Sequence, residues 1–532
     1  MDWVEVRRTS ALSDKTVAIS KKCGRIRSAQ TIRVARDATI SVVIPSNNRV
    51  WRPTNEGTSV VESKFLTFVR LGIAVVAVWG HQIHAQTPAK YEITITGARD
   101  VAHVEAQLTL ERGRLRMGAG IFADDIPGGL AAFVKKLEVL GPDSKPLAVE
   151  GPRNAAWRIE NVPVGPVTLR YDLRLEHDAH SWPFGADEIA YKREDCLFFV
   201  SRSLFVWPPG IGAAEVRFRL PKGWKASTPW EPLPGEVNAF SLSGDDEMAE
   251  SCLLLGTHLE REVRVGETVV TMALGQSVQA HTEEFDECIG KSLDAFRTIF
   301  DDAPMGRFLM VMNQVDKGQW GAGAFPHSIS VLAPQRIEGA NKDLLVGAIS
   351  HEILHLWNGE RLRPAGQMEW FKEGFTDHLT WRVLHEQGVI DEKRFLQQFG
   401  RHLSSYVNRV GESPIADAGN DKRKFYELVY DGGASAALCL DAEIVRATDG
   451  EKGLVDFMRT LYARTAAVEK PYTMEDLIAV ATEVAGTDMS GFFERYVVGV
   501  ETLPIEESLA TLGFLWERKQ TGERVVYTLS RR

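Results

Sequence analysis

Hydrophobic and polar positions along this chain fall into successive regimes, each predicting a different kind of structure. From Tyr91 to about Val265 the apolar residues alternate with polar ones in short segments such as YEITIT, HVEAQLTL, PVTLRYDLRL, CLFFVSRSLFV and AEVRFRLP. Turn sequences such as Gly141-Pro142-Asp143 and Pro221-Lys222-Gly223 divide them. A period of two puts one side of each segment on a core, so residues 90–265 are expected to form an antiparallel β domain. The pattern then becomes mixed over 266–390: VVTMALG reads as a strand, EEFDECIGKSLDAFRTIF as an amphipathic helix, and FLMVMNQV and HSISVLAP as buried strands. Over 391–500 the apolar spacing is helical in RFLQQFGRHLSSYV, ASAALCLDAEIVRAT, GLVDFMRTLYART and MEDLIAVATEVAG, and a short β-like tail follows at 501–532. The fold class expected is α+β.

Within the mixed region, the stretch from Asn341 to Asp377 (NKDLLVGAISHEILHLWNGERLRPAGQMEWFKEGFTD) concentrates the candidate chemistry. Asn341 is the expected N-cap and Gly359 the expected stop of a helix carrying His351, Glu352 and His355. Residues four apart share a helix face, so both imidazoles can point at one ion while Glu352 reaches a water bound to that ion. A second amphipathic helix over 368–387, with Phe371, Phe375, Leu379 and Val383 on its apolar face, presents Glu373 eighteen residues past His355 as the natural third ligand. Asp377, one turn later, is placed to orient a ligand histidine. An H-E-x-x-H set also arises by chance on amphipathic helices; the following helix with Glu373 and Asp377 favours Zn2+. Three protein ligands leave one position open, the arrangement of catalytic rather than structural zinc, with Glu352 as general base and acid.

The residues HEILHLWN, then Arg363-Pro364, then Glu373-Gly374-Phe375-Thr376 resemble the glycyl aminopeptidase family of gluzincin metallopeptidases, whose motif is H-E-x-x-H-L-W-N followed by E-G-F-T. The resemblance covers about residues 90–510 and implies an N-terminal β domain packed against a thermolysin-like catalytic domain, with a helical C-terminal region. Many members carry a PDZ domain at the C-terminal end; only about thirty residues follow Thr502, and none is expected. For the hydroxyl that stabilises the tetrahedral oxyanion, Tyr430 is the candidate: it matches the family's Y-x-K-G before a helix, although Gly432 stands where lysine is usual. The family places its amino-group anchor in a G-G-L-E-H-x-x-S pattern before the zinc helix. Here Gly323, His327 and Ser330 fit that frame and are expected to line the substrate cleft, but Pro326 occupies the acidic slot. Glu369 and Glu360 are the candidates to replace it. The resemblance implies a zinc-dependent aminopeptidase acting on peptides or proteins with small N-terminal residues. An endopeptidase or a peptidase of altered end recognition is the nearest rival. A non-catalytic scaffold that retains zinc is the alternative of another class, against which Glu352 argues, since a structural site has no use for a general base.

A net charge of -10 argues against nucleic acid as the main partner, because phosphate binding needs a concentrated basic face. Residues 1–60 are basic, rich in Ser, Thr, Asn and Arg, and without apolar period, which predicts a disordered or artificial leader. Over 61–86, Lys64 and Arg70 flank FLTFV, and LGIAVVAVW precedes a polar GHQIHAQ, as in an export signal. The uninterrupted apolar core of about nine residues is well short of the roughly 20 that a stable span needs, so an exported, periplasmic or secreted protein is expected, with a membrane anchor through residues 65–79 as the alternative. The expectation is further that translation begins near Val60 or Val61 and that the residues before it come from an over-extended reading frame. The five cysteines form no C-x-x-C pair, and Cys252 and Cys439 sit in apolar runs that predict buried thiols. His177 and His180, in EHDAHSWPFG, form a second candidate metal pair; lacking a helix and a third ligand, they are expected in a solvated loop.

Overall fold

Alternation does what it predicts: in Val101–Thr109 every second residue, from Ala102 to Leu108, is buried and the rest face solvent. The structure, a computed structural model, describes residues 88–531 apart from 119–125, 184, 304–305 and 317–319, together with the backbone of four short strands nearer the start. The chain divides into two units, Met1–Gln86 and Thr87–Arg532. In the first, Glu5–Arg8, Thr16–Ser20, Ala29–Arg33 and Thr39–Val43 form a four-stranded sheet, and the signal-like segment 61–86 lies outside the described residues.

The second unit begins with a seven-stranded sheet in the order Glu231–Pro232, Ala239–Ser243, Ala213–Arg219, Ala89–Ile95, Val101–Thr109, Pro166–Arg174, Val134–Leu140. All neighbours are antiparallel except Ala89–Ile95 and Ala213–Arg219, which run parallel. The predicted turns are present: Ser144 N donates to Gly141 O, and Trp224 N to Pro221 O. The run CLFFVSRSLFV is strand only over Cys196–Val200, with a 3-10 turn at Ser201–Ser203. That strand is buried on both faces because its sheet, in the order Ala190–Lys192, Cys196–Val200, Cys252–Gly256, Lys225–Ser227, lies between two cores. Leu197 and Phe199 join the core of the N-terminal domain, whereas Cys196, Phe198 and Val200 pack with Leu309, Val311 and Leu332 of the next domain. An apolar seam of this kind, each large side chain worth roughly 1.5–3 kcal/mol on burial, joins the two domains.

The next sheet has five strands: β1 (Leu259–Val265), β2 (Thr268–Leu274), β3 (Arg307–Gln314), β4 (Gly321–Phe325) and β5 (Ser328–Ala333), in the order β1-β2-β3-β5-β4. β1 lies at the end of the span 90–265, yet it is the outer arm of a hairpin with β2, so the change of sheet falls before Leu259. β2, β3 and β5 are parallel, with α1 (Thr282–Phe300) crossing from β2 to β3, and β4 is an antiparallel edge strand. Against this sheet pack α1 and α2 (Ala340–Leu354), and α3 (Glu369–Glu386) packs on both helices. The helical region follows with α4 (Glu392–Val407), α5 (Gly433–Ala447), α6 (Leu454–Arg464) and α7 (Met474–Ala485). The tail is not purely β: a helical turn at Ile505–Thr511 precedes the hairpin Phe514–Thr521 and Arg524–Arg531, which closes over α4. Among the described residues no helix is long and apolar enough to cross a membrane.

Candidate active site

Helix α2 owes its position to an apolar face of Leu345, Val346, Ile349 and Ile353, all buried in the main core. Gly347 lets α3 come close, since a Cβ there would lie 2.6 Å from the Trp381 ring. Asn341 is not the cap expected: the helix begins after Gly339, and Asn341 sits in its first turn with Nδ2 donating to Arg336 O at 3.2 Å. The helix also ends at Leu354, before Gly359. The intervening residues explain why. Asn358, fully buried, donates from Nδ2 to Lys372 O (3.2 Å) and Thr376 Oγ1 (3.1 Å) on α3, while its own carbonyl accepts from His355 Nδ1 at 2.9 Å. Gly359 keeps that ring free of crowding, because a Cβ there would meet His355 O at 3.0 Å and Nδ1 at 3.5 Å. Trp357 stacks on Phe300 of α1 at 5.9 Å.

On this frame His351, His355 and Glu373, all buried, offer ligand atoms within 4.8 Å of one another. Both Nε2 atoms lie 3.2 Å from Glu373 Oε2. His351 Nδ1 is 2.9 Å from Asp377 Oδ1 and donates to it. With both Nδ1 atoms tied down, each ring is fixed in the tautomer that leaves Nε2 to accept, and two imidazoles with one carboxylate are the donor set of catalytic zinc, so the residues present fit that ion. Without a metal, burial opposes charge on His351, but Asp377 and Glu373 outweigh it and push its pKa up to about 10. Burial likewise opposes ionisation of Glu373, and His355, Lys372 and His351 overcome it, holding the carboxyl well below the usual range. Glu352, one residue on from His351, is buried and has no cation partner among the described residues. Lys422 was not singled out from the sequence, because it lies far along the chain and belongs to no motif. Its Nζ reaches Glu373 Oε1 (2.8 Å) and Glu369 Oε2 (2.9 Å). Glu369 is thus engaged, and Glu360 faces Arg363 at 3.4 Å, so neither stands free to replace the missing acid.

Tyr430 lies in a π-helical turn, Leu428–Gly432, that runs directly into α5; such turns recur at functional sites because they re-aim a side chain. Its ring is 6.1 Å from that of His351, stacks on the half-exposed Tyr426 at 4.4 Å, and has Lys422 Nζ 5.2 Å from its centroid. Burial, with Glu373 adding to it, raises the phenol well above its ordinary range, which keeps the hydroxyl a donor. The approach depends on two glycines: a Cβ on Gly374 would lie 2.3 Å from Gly433 Cα, and one on Gly433 would lie 2.1 Å from Trp370 O.

Gly323 lies on edge strand β4, opposite the buried Ser330 of β5. His327 is exposed in the connecting turn with φ of 64°, and Pro326 precedes it: proline followed by a positive φ is the backbone pattern of a type II turn, with histidine standing where glycine or asparagine is usual. Among the described residues no interaction joins His327 to the trio. Pro326 therefore serves the turn. What faces β4 instead is Asp187 and Glu188, on a 3-10 turn of the N-terminal domain (Ala186–Glu188) that packs against both arms of the hairpin. A Cβ on Gly321 would lie 2.9 Å from Asp187 Oδ2, and one on Gly323 would lie 3.5 Å from Glu188 Cγ and 3.7 Å from its Oε1. Burial pushes Asp187 up to about 7, with Glu188 and Glu352 adding to it; burial also raises Glu188 to about 7, against the lowering effect of Arg202 and with Glu352 adding to the rise. Because the folded value of Asp187 exceeds its ordinary 3.8, charging it costs stability; the cost is absent below pH 4 and complete above pH 7. Asp187→Asn is accordingly expected to stabilise the metal-free protein at pH 8 by on the order of 3 kcal/mol, and not at pH 4. Melting curves at both pH values test this, and equal shifts at both contradict it.

Of the second histidine pair, His180 is partly exposed beside the exposed Asp178 and Ala179, but His177 does not lie in solvent. His177 is buried and stacks on Phe133 at 4.0 Å, with burial lowering its pKa to about 3, so it is a core ring rather than a ligand. Cys196, Cys252, Cys288 and Cys439 are buried free thiols, as expected for Cys252 and Cys439.

The family model M61 glycyl aminopeptidase matches residues 345–430, from within α2 to Tyr430. The Peptidase M61 N-terminal domain model matches 82–257, ending just before β1. No curated protein matches in sequence. Among solved structures the chain is similar to an aminopeptidase N family protein from Idiomarina loihiensis, at 19% identity and a TM-score of 0.67, over 81% of this chain and 79% of that one, a likeness of fold. It also matches Legionella pneumophila aminopeptidase A in complex with aspartic acid, at 13% identity and a TM-score of 0.48, over 78% of this chain and 49% of that one.

Proposed function

The chain belongs to the M61 glycyl aminopeptidase family, and from that premise we propose that it hydrolyses peptide bonds with a zinc ion held by His351, His355 and Glu373. The observation that carries the reading is the convergence of the two Nε2 atoms and Glu373 Oε2 while Asp377 and the Asn358 carbonyl tie the two Nδ1 positions. When bound, zinc supplies a Lewis acid that polarises the scissile carbonyl and acidifies the attacking water. Glu352 receives that water's proton at its carboxylate and returns it to the leaving amine. The Tyr430 hydroxyl donates to the oxyanion that develops on the carbonyl. Edge strand β4, whose outer side has no strand partner among the described residues, is suited to pair with the substrate backbone. Lys422 holds Glu373 Oε1, which leaves Oε2 as the ligand atom.

The test is metal analysis of the full-length protein with hydrolysis of a diverse peptide library. About one zinc per chain is expected, with activity lost to a chelator and regained with zinc. Zinc bound at that level with no peptide cleaved overturns the reading. Export belongs to the same proposal and rests on the apolar run before Gln86; N-terminal sequencing of secreted protein checks it, and a mature chain starting upstream of Lys64 would sink it.

A further inference from the structure

We propose that Glu188, brought by the N-terminal domain with Asp187 beside it, holds the free α-ammonium of the substrate, so that the anchor of an exopeptidase site is supplied across the domain boundary. The inference rests on the hydrolase reading above and says which end of a peptide the site accepts.

An ammonium taken out of water needs a carboxylate, and the positions nearest to hand are used up. Pro326 makes the turn, Glu369 is bound to Lys422, and Glu360 faces Arg363. Glu188 is differently placed. Arg202 spends itself elsewhere: one Nη donates to the main-chain carbonyl of Glu188 at 2.9 Å, the other pairs with Glu250, and the Glu188 carboxylate is 3.9 Å away, beyond hydrogen-bond reach. The Glu188 side chain remains 30% exposed and so can be reached by a ligand. Among the described residues, Asp187 has no cation partner at all.

The surroundings are shaped for these two groups. On β4, Gly321 and Gly323 share one face: a Cβ on Gly321 would crowd the Asp187 carboxylate, and the place of one on Gly323 is in contact with the Glu188 side chain; Ala322 and Ala324, on the other face, pack on the core. β4 itself packs against α2, which carries Glu352, and against the turn that carries Asp187 and Glu188, and the charge of Glu352 raises both of those acids. A peptide laid along the edge of β4 would run its amino end past them. A buried acid without a cation partner, beside a partly exposed one whose nearest cation stands 3.9 Å off, is a setting that an incoming ammonium would satisfy.

The experiment uses the full-length zinc-loaded protein, with alanine p-nitroanilide and its Nα-acetyl derivative as substrates. The wild type is expected to prefer the free amine, and Glu188→Gln to lower the free-to-blocked ratio of kcat/KM by about 100-fold, with Glu188→Asp restoring part of it. Zinc content and melting temperature are followed in each variant. A wild type without preference for the free amine, or a Glu188→Gln variant that loses both substrates in equal proportion, overturns the proposal. A binding arm separates this from failure of the hydrolase reading. In the Glu352→Gln background, calorimetry compares Ala-Ala with its Nα-acetyl form, and the tighter binding of the free dipeptide must disappear with Glu188→Gln. If that holds while no peptide is ever cleaved, the hydrolase reading falls and the ammonium site stands; if the two dipeptides bind alike, the ammonium site falls whatever the activity.

Discussion

Glu352→Gln is expected to reduce kcat by roughly 1,000-fold or more, equivalent to about 4 kcal/mol of barrier, while zinc content and melting temperature stay near wild type. Glutamine keeps the size of the side chain in its buried place on α2 but cannot take a proton from water. It leaves the convergence of His351, His355 and Glu373 intact, because Glu352 is not part of that set. KM should change little, since the lost interaction is made in the transition state rather than in substrate binding. Steady-state kinetics beside metal analysis checks this. A variant that keeps kcat within about threefold of wild type removes Glu352 from the proton path, and with it the proposed mechanism. Loss of activity together with loss of zinc would instead show that Glu352 holds the metal set together.

The parts of this site legible in the sequence are those fixed by local geometry. His351 and His355 share a helix face by spacing alone, and α3 announces itself through Phe371, Phe375, Leu379 and Val383. The strands of the N-terminal domain were legible where one face meets solvent, as in Val101–Thr109. In Cys196–Val200, buried on both faces, the apolar run gave no sign of where strand yields to turn. The helix start at Gly339 was missed because Asn341 satisfies the propensity rule, yet its amide is used outside the helix, on Arg336 O. Lys422, Asp187 and Glu188 could not be read at all. Each reaches the site through tertiary structure, from 49 residues away in the pair Lys422–Glu373 and from another domain for the two acids. The resemblance to a family marked the gap at Pro326 without saying what fills it; only the fold sets Glu188 against Gly323.

Gly433→Ala should be the most damaging small substitution near the site, costing roughly 3 kcal/mol or more of stability. The new methyl would lie 2.1 Å from Trp370 O and 2.9 Å from Gly374 Cα. Both are backbone atoms inside a packed core, where Trp370 is itself buried, so neither can yield as a flexible side chain does. α3 and α5 must move apart. α3 carries Glu373 and Asp377, and α5 continues from the π-turn that carries Tyr430, so separating the helices also draws the phenol away from the histidines. Stability and kcat are therefore expected to fall together, whereas Tyr430→Phe should lower kcat with little change in melting temperature. The neighbouring glycine is the control. At Gly432 a Cβ meets Ile415 and Tyr406 side chains at 3.6 Å, ordinary van der Waals contact, so Gly432→Ala is expected to shift stability by less than about 1 kcal/mol. Melting curves and kinetics on the three variants decide the matter. If Gly433→Ala melts where Gly432→Ala does, the close approach of the two backbones is not what positions Tyr430, and its place beside His351 must come from the stack on Tyr426 instead.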